Sequence, residues 1–112
     1  MDTIYELFTK NSKSYDAKQL AETFNKLNSD EYKSLNFEGK NNTLGFKNWN
    51  NVFNQSGLNN LFGYNEGRSD YLGVTTKSRN NFINYLKTQG PINTGNGNLS
   101  WNSKSNLWEY TD

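Results

Sequence analysis

The sequence has 112 residues, with 12 basic and 11 acidic side chains, a formal net charge of +1, and neither cysteine nor histidine. This length predicts one domain over residues 1–112. The missing residue types exclude disulfides, thiolate and imidazole metal sites, and histidine-based catalytic triads. No apolar run approaches the ~20 residues of a membrane span. With no signal-peptide pattern, a cytoplasmic protein is expected.

The apolar fraction is low, at 32%, but aromatic residues make up 15% of the chain. Disordered segments are poor in aromatic residues, because each ring buries a large area at a small entropic cost. The composition therefore predicts a folded domain with an aromatic-rich core.

Two helices are predicted in the first quarter of the chain. Residues 3–9 place Ile4, Leu7 and Phe8 at i, i+3 and i+4. Residues 16–27 show a stronger pattern, with Asp16 as N-cap and one continuous apolar stripe behind it. The members of that stripe are Ala17, Leu20, Ala21, Phe24 and Leu27.

The middle of the chain gives weaker signals. Leu35 and Phe37 alternate with polar residues, as do Leu44 and Phe46, and this alternation suggests a short hairpin. Two brief helical turns follow, at residues 49–53 and 58–62, with Gly57 and Gly63 placed to end them.

The last third predicts a helix over residues 76–89, followed by a β-hairpin. Phe82, Ile83 and Leu86 supply the buried stripe of this helix, and Gly90 and Pro91 end it. Residues 99–101 and 107–110 then read as two strands around a turn at residues 102–106. The predicted fold class is α+β, a small helical core with a C-terminal β-hairpin.

Residues 71–110 resemble the second half of a winged helix-turn-helix domain. The resemblance is carried by Leu72-Gly73-Val74-Thr75, the helix that follows, then Gly90-Pro91-Ile92 and the hairpin. It implies a recognition helix at residues 76–89 that contacts double-stranded DNA, with the hairpin as the wing and helices 3–9 and 16–27 as support. The segment 28–70 is longer than that family needs.

The predicted recognition helix has a face that suits DNA. Residues 71–108 contain four basic and no acidic side chains. Asparagine can bond adenine edges in the major groove, while lysine holds phosphates. Arg79 falls on the apolar side, but its long stem can extend outward to a phosphate. The predicted DNA contacts are Lys77, Arg79, Asn80, Asn81, Asn84, Lys87 and Lys104. The competing interpretation is that an asparagine-rich chain places asparagine on every exposed helix face.

A different class of function remains open: a phage- or mobile-element-encoded inhibitor, of the anti-CRISPR kind, that blocks a host protein. Tyrosine and tryptophan anchor protein interfaces, and Trp101, Trp108 and Tyr110 are the candidate contacts. The alternative for each tryptophan is burial in the core. Carbohydrate binding would use the same kinds of residue, but nothing suggests export.

Enzymatic readings are weak, and the protein is expected not to be an enzyme. Asp30 followed by Glu38 and Lys40 formally fits a metal-nuclease pattern, but that spacing arises often by chance. A ribonuclease built from lysine, arginine and tyrosine would leave no sequence signature. The sequence thus predicts no catalytic residue, no metal and no cofactor.

Overall fold

The fold combines helices with a C-terminal sheet, and the computed structural model describes residues 4–33, 44–62 and 76–112. The helices are α1 (Ile4–Lys10), α2 (Ala17–Leu27), α3 (Asp30–Lys33), α4 (Leu44–Asn54) and α5 (Thr76–Leu86), with 3-10 helices at Ser12–Ser14 and Leu58–Phe62. The strands are β1 (Ile92–Thr94), β2 (Gly97–Asn102) and β3 (Leu107–Thr111). The predicted α+β class is confirmed.

The strongest helix prediction is confirmed in detail at α2. The side chain of Asp16 accepts a hydrogen bond from the Gln19 N–H at 3.1 Å, which satisfies one of the free donors of the first turn. The predicted stripe is buried along the whole helix, from Ala17 to Leu27. This helix packs against α4 on one side and against β2 and β3 on the other, so it is the centre of the core.

The hairpin prediction in the middle of the chain is wrong where the structure describes it. Leu44 and Phe46 belong to α4, whose helical spacing of Trp49, Val52 and Phe53 outweighs the short two-residue alternation before it. The rest of that predicted hairpin, residues 35–41, lies outside the described residues. The turn after α4 matches prediction, because Gly57 adopts a left-handed φ of 79°.

The C-terminal hairpin is confirmed and has one more strand than predicted. The order is β1-β2-β3, all antiparallel, with Ile92 opposite Leu99 and Trp101 opposite Trp108. The glycine- and asparagine-containing stretch at residues 95–96 is the tight turn between β1 and β2. Gly95 lies against the chain near the start of α2, since a Cβ there would meet the Lys13 carbonyl oxygen.

One face of the sheet covers the helices and the other faces outward. Leu99 and Trp108 point inward and are buried. Asn98, Glu109 and Leu107 lie on the outer face and are exposed. The sheet is therefore a lid on the helical core with an exposed outer surface.

Helix α5 ends earlier than predicted. Regular α-helix stops at Leu86, and bonds from residues 87, 88 and 89 to carbonyls three residues back continue as tighter turns. Gly90 and Pro91 then lead into β1. Residues 71–75, which carry the first part of the winged-helix resemblance, lie outside the described residues. No helix among those described is long and apolar enough to cross a membrane.

Candidate functional site

Helix α5 places part of its side chains in the core and part along surface clefts. Phe82, Ile83 and Leu86 are buried, as predicted. Asn80, Asn84 and Lys87 follow one another at i, i+4 and i+7, so they lie on one side of α5 and of the tighter turn that continues it.

This side of α5 forms one wall of a cleft of about 330 Å³, which we call the α5 cleft. Its floor is apolar and its rim is polar and cationic, because Lys33 of α3 and Lys87, the residue that follows α5, both line it. None of its lining residues, all within the described part of the chain, is acidic. The lining residues are Phe24, Leu27, Asn28, Tyr32, Lys33, Trp49, Asn80, Ile83, Asn84, Lys87 and Trp108.

The two lysines influence each other. Burial lowers the pKa of Lys87, and the positive charge of Lys33 lowers it further. The ammonium group of Lys87 also lies 4.3 Å from the ring centroid of Trp101, a cation–π contact that holds it beside the hairpin. Two cations thus face a partly desolvated space, an arrangement that favours an anionic ligand.

An aromatic chain links this lysine to the core. Trp101 meets Trp108 edge to face at 5.5 Å, and Trp108 meets Phe24 of α2 edge to face at 5.3 Å. Because Trp108 and Phe24 are buried, the wall that carries Lys87 is fixed to packed side chains.

The other predicted residues of α5 lie apart from this cleft. Asn81 is exposed and borders a second cleft of about 390 Å³ next to α1. Lys77 is exposed in the first turn of α5. The predicted set is therefore spread around the exposed part of the helix, with only Asn80, Asn84 and Lys87 in the α5 cleft.

The prediction that Arg79 contacts phosphate is wrong. Its side chain is 0% exposed. Its guanidinium donates from Nη1 to Oδ1 of Asn50 at 2.6 Å and to Oδ1 of Asn59 at 3.0 Å. The same group lies over the ring of Trp49, 4.7 Å from the centroid. Arg79 stays inside because α4 and the 3-10 helix after it bring amide oxygens and aromatic faces to its charge.

Lys104 lies in the exposed turn between β2 and β3, as the hairpin prediction places it. The side-chain oxygen of Asn102 accepts from the N–H groups of Lys104 at 2.9 Å and Ser105 at 3.3 Å, and Asn106 adopts a left-handed φ of 59°. The turn that presents this lysine is thus held by its own asparagine residues.

The aromatic residues assigned to a protein interface have three different environments. Trp108 is 3% exposed, so its assignment to a partner-binding surface is wrong: the ring packs between α2 and Trp101. Trp101 is half-buried under Lys87. Tyr110 is 40% exposed and remains available.

Sequence reasoning missed Lys33 and Tyr32. Both lie on α3, a single helical turn of four residues, and so short an element leaves no periodic apolar pattern to detect. Lys33 lines the α5 cleft together with residues of α2, α4, α5 and β3, a tertiary relation that spacing along the chain does not encode.

Among residues 4–33, 44–62 and 76–112, no group of three or more acidic residues is placed to hold a metal ion. Asp30 of the formal metal-nuclease pattern begins α3, while Glu38 and Lys40 lie outside the described residues. Comparison of the chain with protein-family models, curated proteins and solved structures finds no match, so the winged-helix resemblance of residues 71–110 stays a prediction.

Proposed function

We propose that this protein is a non-enzymatic regulatory protein that binds DNA through the exposed face of α5, the α5 cleft and the β2–β3 turn. The observation that carries the proposal is the meeting of Asn80, Asn84 and Lys87 with Lys33 at one cleft. Amides that read base edges therefore stand beside ammonium groups that neutralise phosphates.

Charge supports the same surface. Helix α5 contains Lys77 and the buried Arg79 and no acidic residue. With Arg79 removed from the contact set, four lysines remain near this surface, namely Lys33, Lys77, Lys87 and Lys104. If about three of them neutralise phosphates, the logarithm of the binding constant falls with the logarithm of salt concentration with a slope of about −3.

The experiment is a fluorescence polarisation titration against mixed duplex DNA at two salt concentrations. We expect binding at low salt that weakens steeply as salt rises and is lost in the Lys77→Glu/Lys87→Glu variant. The matched control is Lys13→Glu/Lys18→Glu, which makes the same charge change on exposed lysines outside the α5 cleft. Far-UV circular dichroism checks that both variants fold.

Two results would overturn the proposal. One is the absence of binding at low salt. The other is equal weakening by the two double variants, which would mean that any surface charge matters and that the face of α5 has no special role.

One observation favours the second candidate, a phage- or mobile-element-encoded inhibitor of a host protein. Tyr110 of β3 is 40% exposed, and exposed aromatic side chains anchor interfaces. A complex of this kind resists salt, is broken by Tyr110→Ala and survives Lys77→Glu/Lys87→Glu. The two candidate functions are therefore distinguished by the variant that breaks the complex. Lys77→Glu/Lys87→Glu should abolish DNA binding, whereas Tyr110→Ala should abolish binding of a host protein.

A further inference from the structure

We propose that Asn96 is a site of spontaneous deamidation, and that the carboxylate formed there opposes Asp16 and loosens the β1–β2 turn from the start of α2. This inference goes beyond the proposed function and does not depend on it. Asn96-Gly97 is the only asparagine–glycine pair in the sequence. Asparagine is a chemically labile residue. It loses its amide fastest before glycine, because glycine has no side chain to shield its backbone nitrogen.

The reaction consumes only water. The backbone nitrogen of Gly97 loses its proton and attacks Cγ of the Asn96 side chain. A bond forms between that nitrogen and Cγ, the bond from Cγ to Nδ2 breaks, and Nδ2 leaves as ammonia after taking up a proton. Water then opens the resulting five-membered succinimide ring at one of its two carbonyl carbons. The product is aspartate, or isoaspartate, in which the main chain runs through Cγ.

The fold supplies both the glycine and the access. Asn96 is exposed in the turn between β1 and β2. Gly97 adopts a positive φ of 111°, and a Cβ at this position would collide with the carbonyl oxygen of Thr111 at the end of β3. The hairpin therefore requires glycine directly after Asn96. Local opening of an exposed turn costs little free energy, and it lets the Gly97 nitrogen reach Cγ.

The amide that deamidation removes holds the turn to α2. Nδ2 of Asn96 donates to Oδ2 of Asp16 at 2.8 Å, while Oδ1 of the same carboxylate accepts from the N–H of Gln19 in the first turn of α2. Deamidation replaces this donor by a second carboxylate, and two negative charges at such a distance repel each other. The pKa of Asp16, which the Asn96 amide lowers more than any other group does, then rises. Chemical ageing is thus converted into a weaker junction between the hairpin and α2.

The first measurement follows the reaction itself. The folded protein is kept at mildly alkaline pH, and fragmentation mass spectrometry follows the conversion of each asparagine. We expect position 96 to exchange an amide for a carboxyl group several times faster than the three asparagine–serine pairs, which begin at Asn11, Asn28 and Asn102. Asn96→Gln should stay unmodified, because glutamine would have to close a less favourable six-membered ring. A rate at Asn96 no higher than at the asparagine–serine pairs overturns the proposal.

The second measurement tests the consequence for stability. Asn96→Asp reproduces the aspartate product, and we expect it to lower the urea midpoint at neutral pH. The matched control is Asn93→Asp, the same charge change at an exposed residue of β1 that pairs with Asn98 rather than with an acid. It should leave the midpoint nearly unchanged. In an Asp16→Asn background, Asn96→Asp should lose its effect, because the opposing charge is absent.

Two results of the second measurement overturn the opposition of the two carboxylates. One is an equal loss from Asn96→Asp with and without the charge of Asp16. The other is a loss of the same size from Asn93→Asp, which would mean that any added negative charge on the hairpin is destabilising. Neither measurement uses DNA, so failure here leaves the proposed function intact, and failure of DNA binding leaves this inference standing.

Discussion

Arg79 holds a permanent positive charge inside the protein. Its guanidinium is enclosed by the rings of Trp49 and Phe53, with centroids at 4.7 and 5.1 Å, and bonded to the amide oxygens of Asn50 and Asn59. A buried charge is tolerated only where its surroundings replace water. A guanidinium is planar and weakly hydrated, so it stacks on aromatic rings and donates to amide oxygens inside a protein better than an ammonium group does.

The first prediction follows from that geometry. Arg79→Lys keeps the charge but loses the planar stacking on the Trp49 ring and the reach of Nη1 to both amide oxygens, so we expect a loss of about 2–4 kcal/mol in the free energy of unfolding. Urea unfolding followed by tryptophan fluorescence measures it. Lys77→Arg, an exposed change on the same helix, should stay within about 0.5 kcal/mol. Equal effects of the two substitutions would contradict the prediction.

Asp16 carries the second prediction, on pH. The Asn96 side-chain amide, at 2.8 Å, and then the Gln19 N–H hold the pKa of this carboxyl below its ordinary value. The unfolded chain therefore takes up the proton more readily, and protonation favours unfolding. The stabilisation from Asp16 is present above its unfolded-state pKa of about 3.9 and is lost as pH falls through the lower folded-state value.

Urea midpoints of the wild-type chain and of Asp16→Asn, measured from pH 6 downward, test this. Asparagine is also a good N-cap, so the variant isolates the charge. The difference between the two midpoints should be largest above about pH 4 and shrink below it. Asn96→Ala, which removes the main cause of the shift, should flatten the pH dependence. A difference that stays constant with pH would contradict the assignment.

At the residue scale, the sequence predicted correctly the roles of residues whose hydrogen-bond partners lie close to them in the chain. Asp16 was identifiable as a cap because a continuous apolar stripe of helical period begins directly after it. Arg79 was misplaced because Asn50 and Asn59 precede it by 29 and 20 positions, and no local pattern reveals such partners. Asn80, Asn84 and Lys87 were found from helix spacing, while Lys33, across the cleft, was not.

The junction between α2 and the sheet depends on one asparagine. The side-chain amide of Asn25 donates to the Trp108 carbonyl oxygen at 3.0 Å, and its oxygen accepts from the Trp108 N–H at 2.7 Å. The amide therefore mimics a neighbouring strand at one position of β3. Beside it, the Trp108 ring packs on Phe24 at 5.3 Å.

Asn25→Ala is the third prediction. It leaves a partly buried N–H and C=O of β3 without these bonds, so we expect a loss of about 1–3 kcal/mol in unfolding free energy. Faster amide hydrogen exchange at Trp108 should accompany the loss. Asn98→Ala, on the exposed outer face of β2, is the control and should have little effect on either measurement. Unchanged exchange at Trp108 would argue against the role of Asn25.

A helix or strand was predicted correctly where its apolar residues follow a single period, either helical or strand-like. Helix α2 shows a cap and an unbroken helical stripe, and it was predicted to within a residue. Helix α4 begins with Leu44 and Phe46, which alternate with polar residues as in a strand. The start of α4 was therefore predicted as strand, although packing of α4 against α2 favours the helix. Strand β1 has three residues, too few to show a period of two.

For the whole molecule, Phe82 joins parts of the chain that are far apart in sequence. Its ring lies 5.8 Å from Tyr5 and 5.5 Å from Phe8 of the first helix. It also lies 5.6 Å from Phe62 of the second 3-10 helix. The N-terminal helix, the middle of the chain and α5 therefore share one aromatic cluster, which favours cooperative unfolding.

The fourth prediction is that Phe82→Ala costs about 3–5 kcal/mol, as expected for a buried phenylalanine. Because the cluster couples distant segments, tryptophan fluorescence and far-UV circular dichroism should report the same lowered midpoint. Leu44→Ala removes an apolar side chain that is 72% exposed and should change the midpoint little. Separate midpoints for the two probes would show that the N-terminal helix unfolds independently.

The amide of Asn25 has a consequence for self-association. An open strand edge is a template on which further chains add and polymerise. On β3 the N–H and C=O of Trp108 are already taken by Asn25. An incoming strand would therefore meet a blocked position three residues before the end of β3. Proteins commonly protect such edges with charged residues or proline. Here a side chain of α2, Asn25, occupies the edge instead. Addition of a further strand along β3 is therefore obstructed at the second residue of the strand.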